Sequence, residues 1–235
     1  MGQSYACRWG ATMAAGARAQ SRSMWFHKVV AAATSVVLLT LAALALATAP
    51  VRAEDDPIAT FYEDLALEPP TTESVLACHG VGCRYRTEIV LTNADRLRLA
   101  TMLAPGRTSP TFERRAVATA IAWWDRRIGP VAGTTARVDS AGIDETGDPG
   151  QMDSVDTSIN NTSLFLLLDQ LKLLRFHQVE PPVARKQTDE GEALQATAIL
   201  SELNGGRKWV FDNWAQKYGE MPAVEPLAQW DIERN

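Results

Sequence analysis

The chain predicts an α+β fold, with N-terminal helices packed on an antiparallel sheet. Two local patterns and their order along the chain carry that expectation. Val117, Ile121, Trp124 and Ile128 recur at the four-three-four spacing of one buried helix face. Asn204-Gly205-Gly206 separates two apolar runs, 193–201 and 207–214, which is the strongest short hairpin signal. The helical period is confined to residues before Phe176, and the extended runs follow it.

The first 53 of the 235 residues differ from the rest. They carry five basic residues (Arg8, Arg18, Arg22, Lys28, Arg52) and no Asp or Glu. Residues 29–50 are uncharged and rich in Ala, Leu and Val, and Val51-Arg52-Ala53 ends the run with small residues at the first and third positions. This is the layout of a secretory signal cleaved after Ala53, with Met24 as the preferred start. The competing reading is a retained anchor over 29–50, since 22 residues exceed the roughly 20 that a spanning helix needs. Both readings put the remaining chain outside the cytoplasm, periplasmic or secreted. The expected division is 1–53 leader, 54–76 acidic and loosely packed lead-in, and 77–235 folded domain. Without the leader, 18 basic residues face 28 acidic ones, a net of −10. Such a charge repels phosphate backbones and anionic membrane surfaces, which argues against a nucleic-acid partner.

Cys78 and Cys83 are the cysteines left after the leader. An even pair in an exported chain, with Gly80 and Gly82 between, reads as a local disulfide. A metal site through His79 falls short of the four ligands that structural zinc takes, and the haem-attachment spacing is absent. No cofactor is predicted. Further along, 86–91 reads as a strand and 93–103 as a helix capped by Asn93. Ser109 caps the helix of the buried stripe, Pro110 opens it and Gly129 ends it. Trp123 and Trp124 read as core. Residues 129–152 read as loop. Asp153 and Asp156 form a capping box that leads into an apolar helix ending at Leu174. The sequons at Asn160 and Asn161 are read as chance, and 176–184 as extended.

Several segments of the second half resemble bacterial transglutaminase-like cysteine peptidases, a branch of the papain-like group. These are Asp148-Pro-Gly-Gln-Met-Asp-Ser-Val-Asp156, Leu194-Gln-Ala-Thr-Ala-Ile-Leu200, Lys208-Trp-Val-Phe-Asp-Asn-Trp214 and Pro226-Leu-Ala-Gln-Trp230. More closely, the layout is similar to uncharacterised exported bacterial proteins, over roughly residues 75–230. The resemblance implies a papain/transglutaminase-like fold with a Cys opening a helix, a His on the first hairpin strand and an Asp on the next. A helix N-terminus and an imidazole generate the thiolate, and the carboxylate orients the imidazole. Position by position, the Cys falls on Ser154, the His on Gln195 and the Asp on Asp212.

Two of these three positions depart from the pattern. With Asn204-Gly205 as a two-residue turn, Thr197 pairs with Asp212, and Gln195 is its diagonal neighbour, about 7–8 Å away. A Ser at the nucleophile position needs a base, and an amide cannot accept the proton. The resemblance therefore implies a catalytically inactive relative that binds a peptide or cell-envelope component. Two alternatives stay open: a Ser hydrolase or acyl transferase using Ser154, Asp212 and His177 as substitute base, and a structural envelope protein without a ligand site.

Overall fold

The computed structural model describes residues 56–186 and 194–232; the leader, with its 29–50 segment and Ala53 junction, lies outside the described residues. The fold is α+β, with helices packed against antiparallel sheets. Among the described residues no helix is long and apolar enough to cross a membrane.

From Asp56 on, the stretch expected to be a loose lead-in is instead packed. Helix α1 (Pro57–Asp64) has Asp56 as N-cap and Pro57 at its first position. Phe61 and Tyr62 are buried, and Tyr62 shares a 2.7 Å hydrogen bond with Ser163. Apolar residues at 61, 62 and 67 outweigh the acidic composition that suggested a solvated segment. Strand β1 (Ser74–His79) follows and pairs antiparallel with β2 (Tyr85–Val90). Cys78 and Cys83 form the disulfide that closes the turn between them. Gly80, Val81, Gly82 and Cys83 all have positive φ, so the two glycines relieve half of a left-handed run. His79 is buried between Pro149 O at 2.7 Å and Thr87 Oγ1 at 2.9 Å.

Helix α2 (Asn93–Leu103) is capped by Thr92 rather than Asn93, because Thr92 and Asp95 exchange a full capping box. Helix α3 (Pro110–Ala132) starts at the Ser109 cap as expected but runs through Gly129 and Pro130 to a left-handed cap at Gly133. Pro130 lacks the N–H for the Arg126 carbonyl, and the Tyr218 hydroxyl donates to that carbonyl instead, at 3.3 Å. Gly129 makes room for the same ring: a Cβ there would lie 2.5 Å from it. Gly129 is thus a packing gap, not a stop. The loop begins at Gly133, four residues later than expected, and includes a short 3-10 turn at Ile143–Glu145.

Helix α4 (Ser154–Gln170) begins at the Asp153–Asp156 capping box and ends four residues before Leu174. It is buried on nearly every side, as a central helix must be. It packs against β1 and against a four-stranded antiparallel sheet. That sheet has the order β3 (His177–Lys186), β4 (Leu194–Glu202), β5 (Lys208–Asp212) and β6 (Ala223–Pro226), and α5 (Leu227–Ile232) follows. The main core joins Ile121, Trp124, Ile128, Leu164, Phe165, Leu200 and Phe211 across α3, α4 and the sheet. Trp123 and Trp124 belong to it, as read from the sequence.

The hairpin register has Ala198 opposite Phe211 and Leu200 opposite Trp209, in line with the Thr197–Asp212 alignment. The turn itself is longer than expected. Gly206 N–H donates to Glu202 O and Glu202 N–H to Arg207 O, which makes Leu203–Gly206 a four-residue loop. Asn160 and Asn161, the sequon residues, are buried in α4 with their side chains bonded inside the protein.

Candidate functional site

Ser154 is the first residue of α4, and the preceding loop delivers it to the edge of β4. Asp153 and Asp156 cap the helix start, and both also accept from the disulfide loop. Val81 N–H reaches Asp156 Oδ2 at 2.9 Å, Cys83 N–H reaches Asp156 Oδ1 at 2.6 Å, and Gly82 N–H reaches Asp153 Oδ2 at 3.1 Å. The left-handed run from Gly80 to Cys83 makes this convergence of amides geometrically available. Burial, and then the charge of Asp153, push the Asp156 carboxyl well above its ordinary range, against the pull of those amides. The positive end of the helix dipole is thus already faced by two carboxyl groups.

The Ser154 hydroxyl is buried and held by the β4 main chain on either side of Gln195. It accepts from Ala196 N–H at 3.1 Å and donates to Leu194 O at 3.5 Å. Gln195 in turn donates through Nε2 to Asp212 Oδ2 at 2.6 Å. Its Oε1 accepts from Arg185 Nε and Nη2 at 3.3 and 3.1 Å. An arginine on one side and a carboxylate on the other dictate which end of the amide faces which.

Arg185 sits directly opposite Gln195 in the β3–β4 register, and its guanidinium stacks 3.9 Å over the buried Trp230 ring. Trp230 Nε1 donates to Asp212 Oδ2 at 3.4 Å, and Trp214 N–H to Asp212 Oδ1 at 3.0 Å. Burial still raises the Asp212 carboxyl above its ordinary value, with Trp214, Trp230, Arg185 and Gln195 opposing.

The structure therefore brings the Ser154, Gln195 and Asp212 positions to one corner of the molecule. It does not bring His177 there. His177 pairs with Glu202 in the β3–β4 register, seven positions along β4 from Gln195, or about 23 Å. Its ring is buried, with Nδ1 2.8 Å from Glu113 Oε1 and Nε2 3.3 Å from Arg114 Nη1. The expectation of His177 as a substitute base for Ser154 is corrected by this placement.

Three participants were not read from the sequence. Arg185 reaches Gln195 because a bulge at Pro181–Pro182 shifts the β3 register by one. Trp230 comes from the last helix. The disulfide loop contributes its amides to the start of α4 as well as its covalent link.

Chemically, the corner is a poor place to activate an alcohol. The Ser154 proton points to a carbonyl, the neighbouring amide offers no base, and the Asp212 carboxyl is engaged by three donors, from Gln195, Trp214 and Trp230. Among the described residues, no group of His, Cys, Asp and Glu is arranged to hold a metal ion. Comparison of the chain with profiles of known protein families, with curated protein sequences and with solved structures finds no match.

Proposed function

We propose that this is an exported, catalytically silent protein of papain/transglutaminase-like fold, which binds a peptide or cell-envelope component rather than transforming it. The observation that carries the silence is the 2.6 Å Gln195–Asp212 hydrogen bond. An amide stands where an imidazole would be paired with the carboxylate, and its acceptor oxygen is turned to Arg185. The Ser154 position at the start of α4 supports the mapping onto that layout, and its tethered hydroxyl supports loss of chemistry. The binding role and the ligand class rest on the resemblance of 75–230 to exported proteins of that group.

The test is restoration. Mature wild-type protein is expected to stay unlabelled by a fluorophosphonate and by a thiol-reactive acyl probe. Ser154→Cys combined with Gln195→His is expected to take the acyl probe on residue 154. Fluorophosphonate modification of wild-type Ser154 would overturn the silence. A folded double variant that remains unlabelled would overturn the triad mapping. Retention of the wild type on immobilised peptides or isolated cell-wall sacculi tests the binding half, and retention on neither leaves a structural role.

A further inference from the structure

A small cavity of about 10 Å³ lies between α3, the loop before α4, α4 itself and the segment after β5. Its walls are mixed: Trp124, Ile128 and Met152 are apolar, while Asp125, Thr157, Asn160, Asn161 and Asn213 are polar. Asp125 is the strongest polar group there, only 3% exposed. Its Oδ2 accepts from Arg137 Nη2 at 3.0 Å and from Gly219 N–H at 2.7 Å. Its Oδ1 is buried and has no hydrogen-bond partner among the described residues. Buried carboxylate oxygens without a donor are rare in native proteins, because desolvation is then uncompensated.

Asn161 and Asn213 line the same cavity. Asn161 Nδ2 donates to Asn213 Oδ1 at 2.8 Å, so Asn161 Oδ1 remains as an acceptor and Asn213 Nδ2 as a donor. The Thr157 hydroxyl spends its proton on Ser154 O, at 3.2 Å. About 10–15 Å³ is the volume that one water needs, and internal waters typically make about three hydrogen bonds. We infer that this cavity is the site of one ordered water, which donates to Asp125 Oδ1 and Asn161 Oδ1 and accepts from Asn213 Nδ2. An amide N–H and three apolar walls make the site unsuited to a cation. The water joins α3 and α4 to the residue that follows Asp212. Its presence does not depend on the proposed function.

A high-resolution crystal structure of the mature wild-type protein, with a second crystal soaked in rubidium chloride, tests this. The expected result is one density peak within about 2.7–3.2 Å of the three named atoms, with no rubidium anomalous signal. Deuteron relaxation dispersion in solution should count a long-lived internal water that is lost in Asn213→Leu. A dry cavity overturns the inference. So does a rubidium signal, or rotation of either asparagine to donate directly to Asp125 Oδ1. If Asn213→Leu does not fold, the wild-type density and dispersion still decide.

Discussion

The two ends of β4 carry two buried polar networks that differ in what they surround. At one end, Gln195 links Arg185 and Asp212 beside Ser154. At the other, Glu113 accepts from Arg175 N–H, Phe176 N–H and His177 Nδ1, while Arg114 bonds Glu202 and stacks on Trp209. Among the described residues no imidazole is hydrogen-bonded to Ser154, Gln195 or Asp212. The His177 ring is bonded to Glu113 and Arg114 and to no hydroxyl. An imidazole becomes a base through its place in the register, and this histidine serves as a donor that pins β3 to α3. The difference also has a covalent side, since only the Ser154 end is roofed by the disulfide loop.

The largest expected effect comes from breaking the His177 end. Glu113 is 1% exposed, and Glu113→Ala leaves a buried ring N–H and two part-buried main-chain donors without their acceptor. A loss of about 3–5 kcal/mol in urea unfolding is expected, as for a broken buried network. Gln195→Ala removes a link between groups that keep other partners, and should cost nearer about 1 kcal/mol. Equal losses from the two variants would show that the ends do not differ in structural weight.

The disulfide ranks next. Converting Cys78 and Cys83 to Ala frees a loop of six residues, for which the chain-entropy account gives about 2 kcal/mol. The loop also presents Val81, Gly82 and Cys83 amides to Asp153 and Asp156, so its loosening should be felt at the start of α4. Amide hydrogen exchange should accelerate over 153–158 and leave 175–180 unchanged. Equal acceleration at both ends would mean that the loop stabilises the fold globally instead of roofing the Ser154 end.

What the sequence disclosed follows the range of each signal. The Ser109 cap, the buried stripe of α3 and the Asp153–Asp156 box are local, and periodicity or spacing exposes them. The Gln195–Asp212 contact was legible because alternation and the Asn204-Gly205 turn fixed the register, although the turn proved four residues long. Arg185 was hidden by the bulge: without it, Ala184 would face Gln195. The end of α3 was misread because Gly129 and Pro130 are tolerated through Tyr218, some 90 residues away in sequence. His177 was open to a catalytic reading because its partners, Glu113 and Arg114, lie on a helix that no local pattern connects to β3.

The smallest expected effect is electrostatic and separates Asp212 from an ordinary paired carboxylate. Burial raises its folded-state pKa above the unfolded value of about 3.9, despite three hydrogen-bond donors and the nearby Arg185 charge. The folded chain therefore holds this proton at pH values where the unfolded chain has released it. The stability it contributes is complete below about pH 4 and is lost as pH rises through the raised folded value. Asp212→Asn removes that titration while keeping the side chain's shape. As pH rises from about 4 through the raised folded value, the wild-type stability should decline relative to the variant. The effect is small because the donors to Asp212 offset much of its burial. Asp156, also raised, keeps part of the slope in both proteins. Parallel urea-unfolding profiles for the two would mean that the donors around Asp212 balance its burial, and a wild-type stability that rises with pH relative to the variant would mean that they outweigh it.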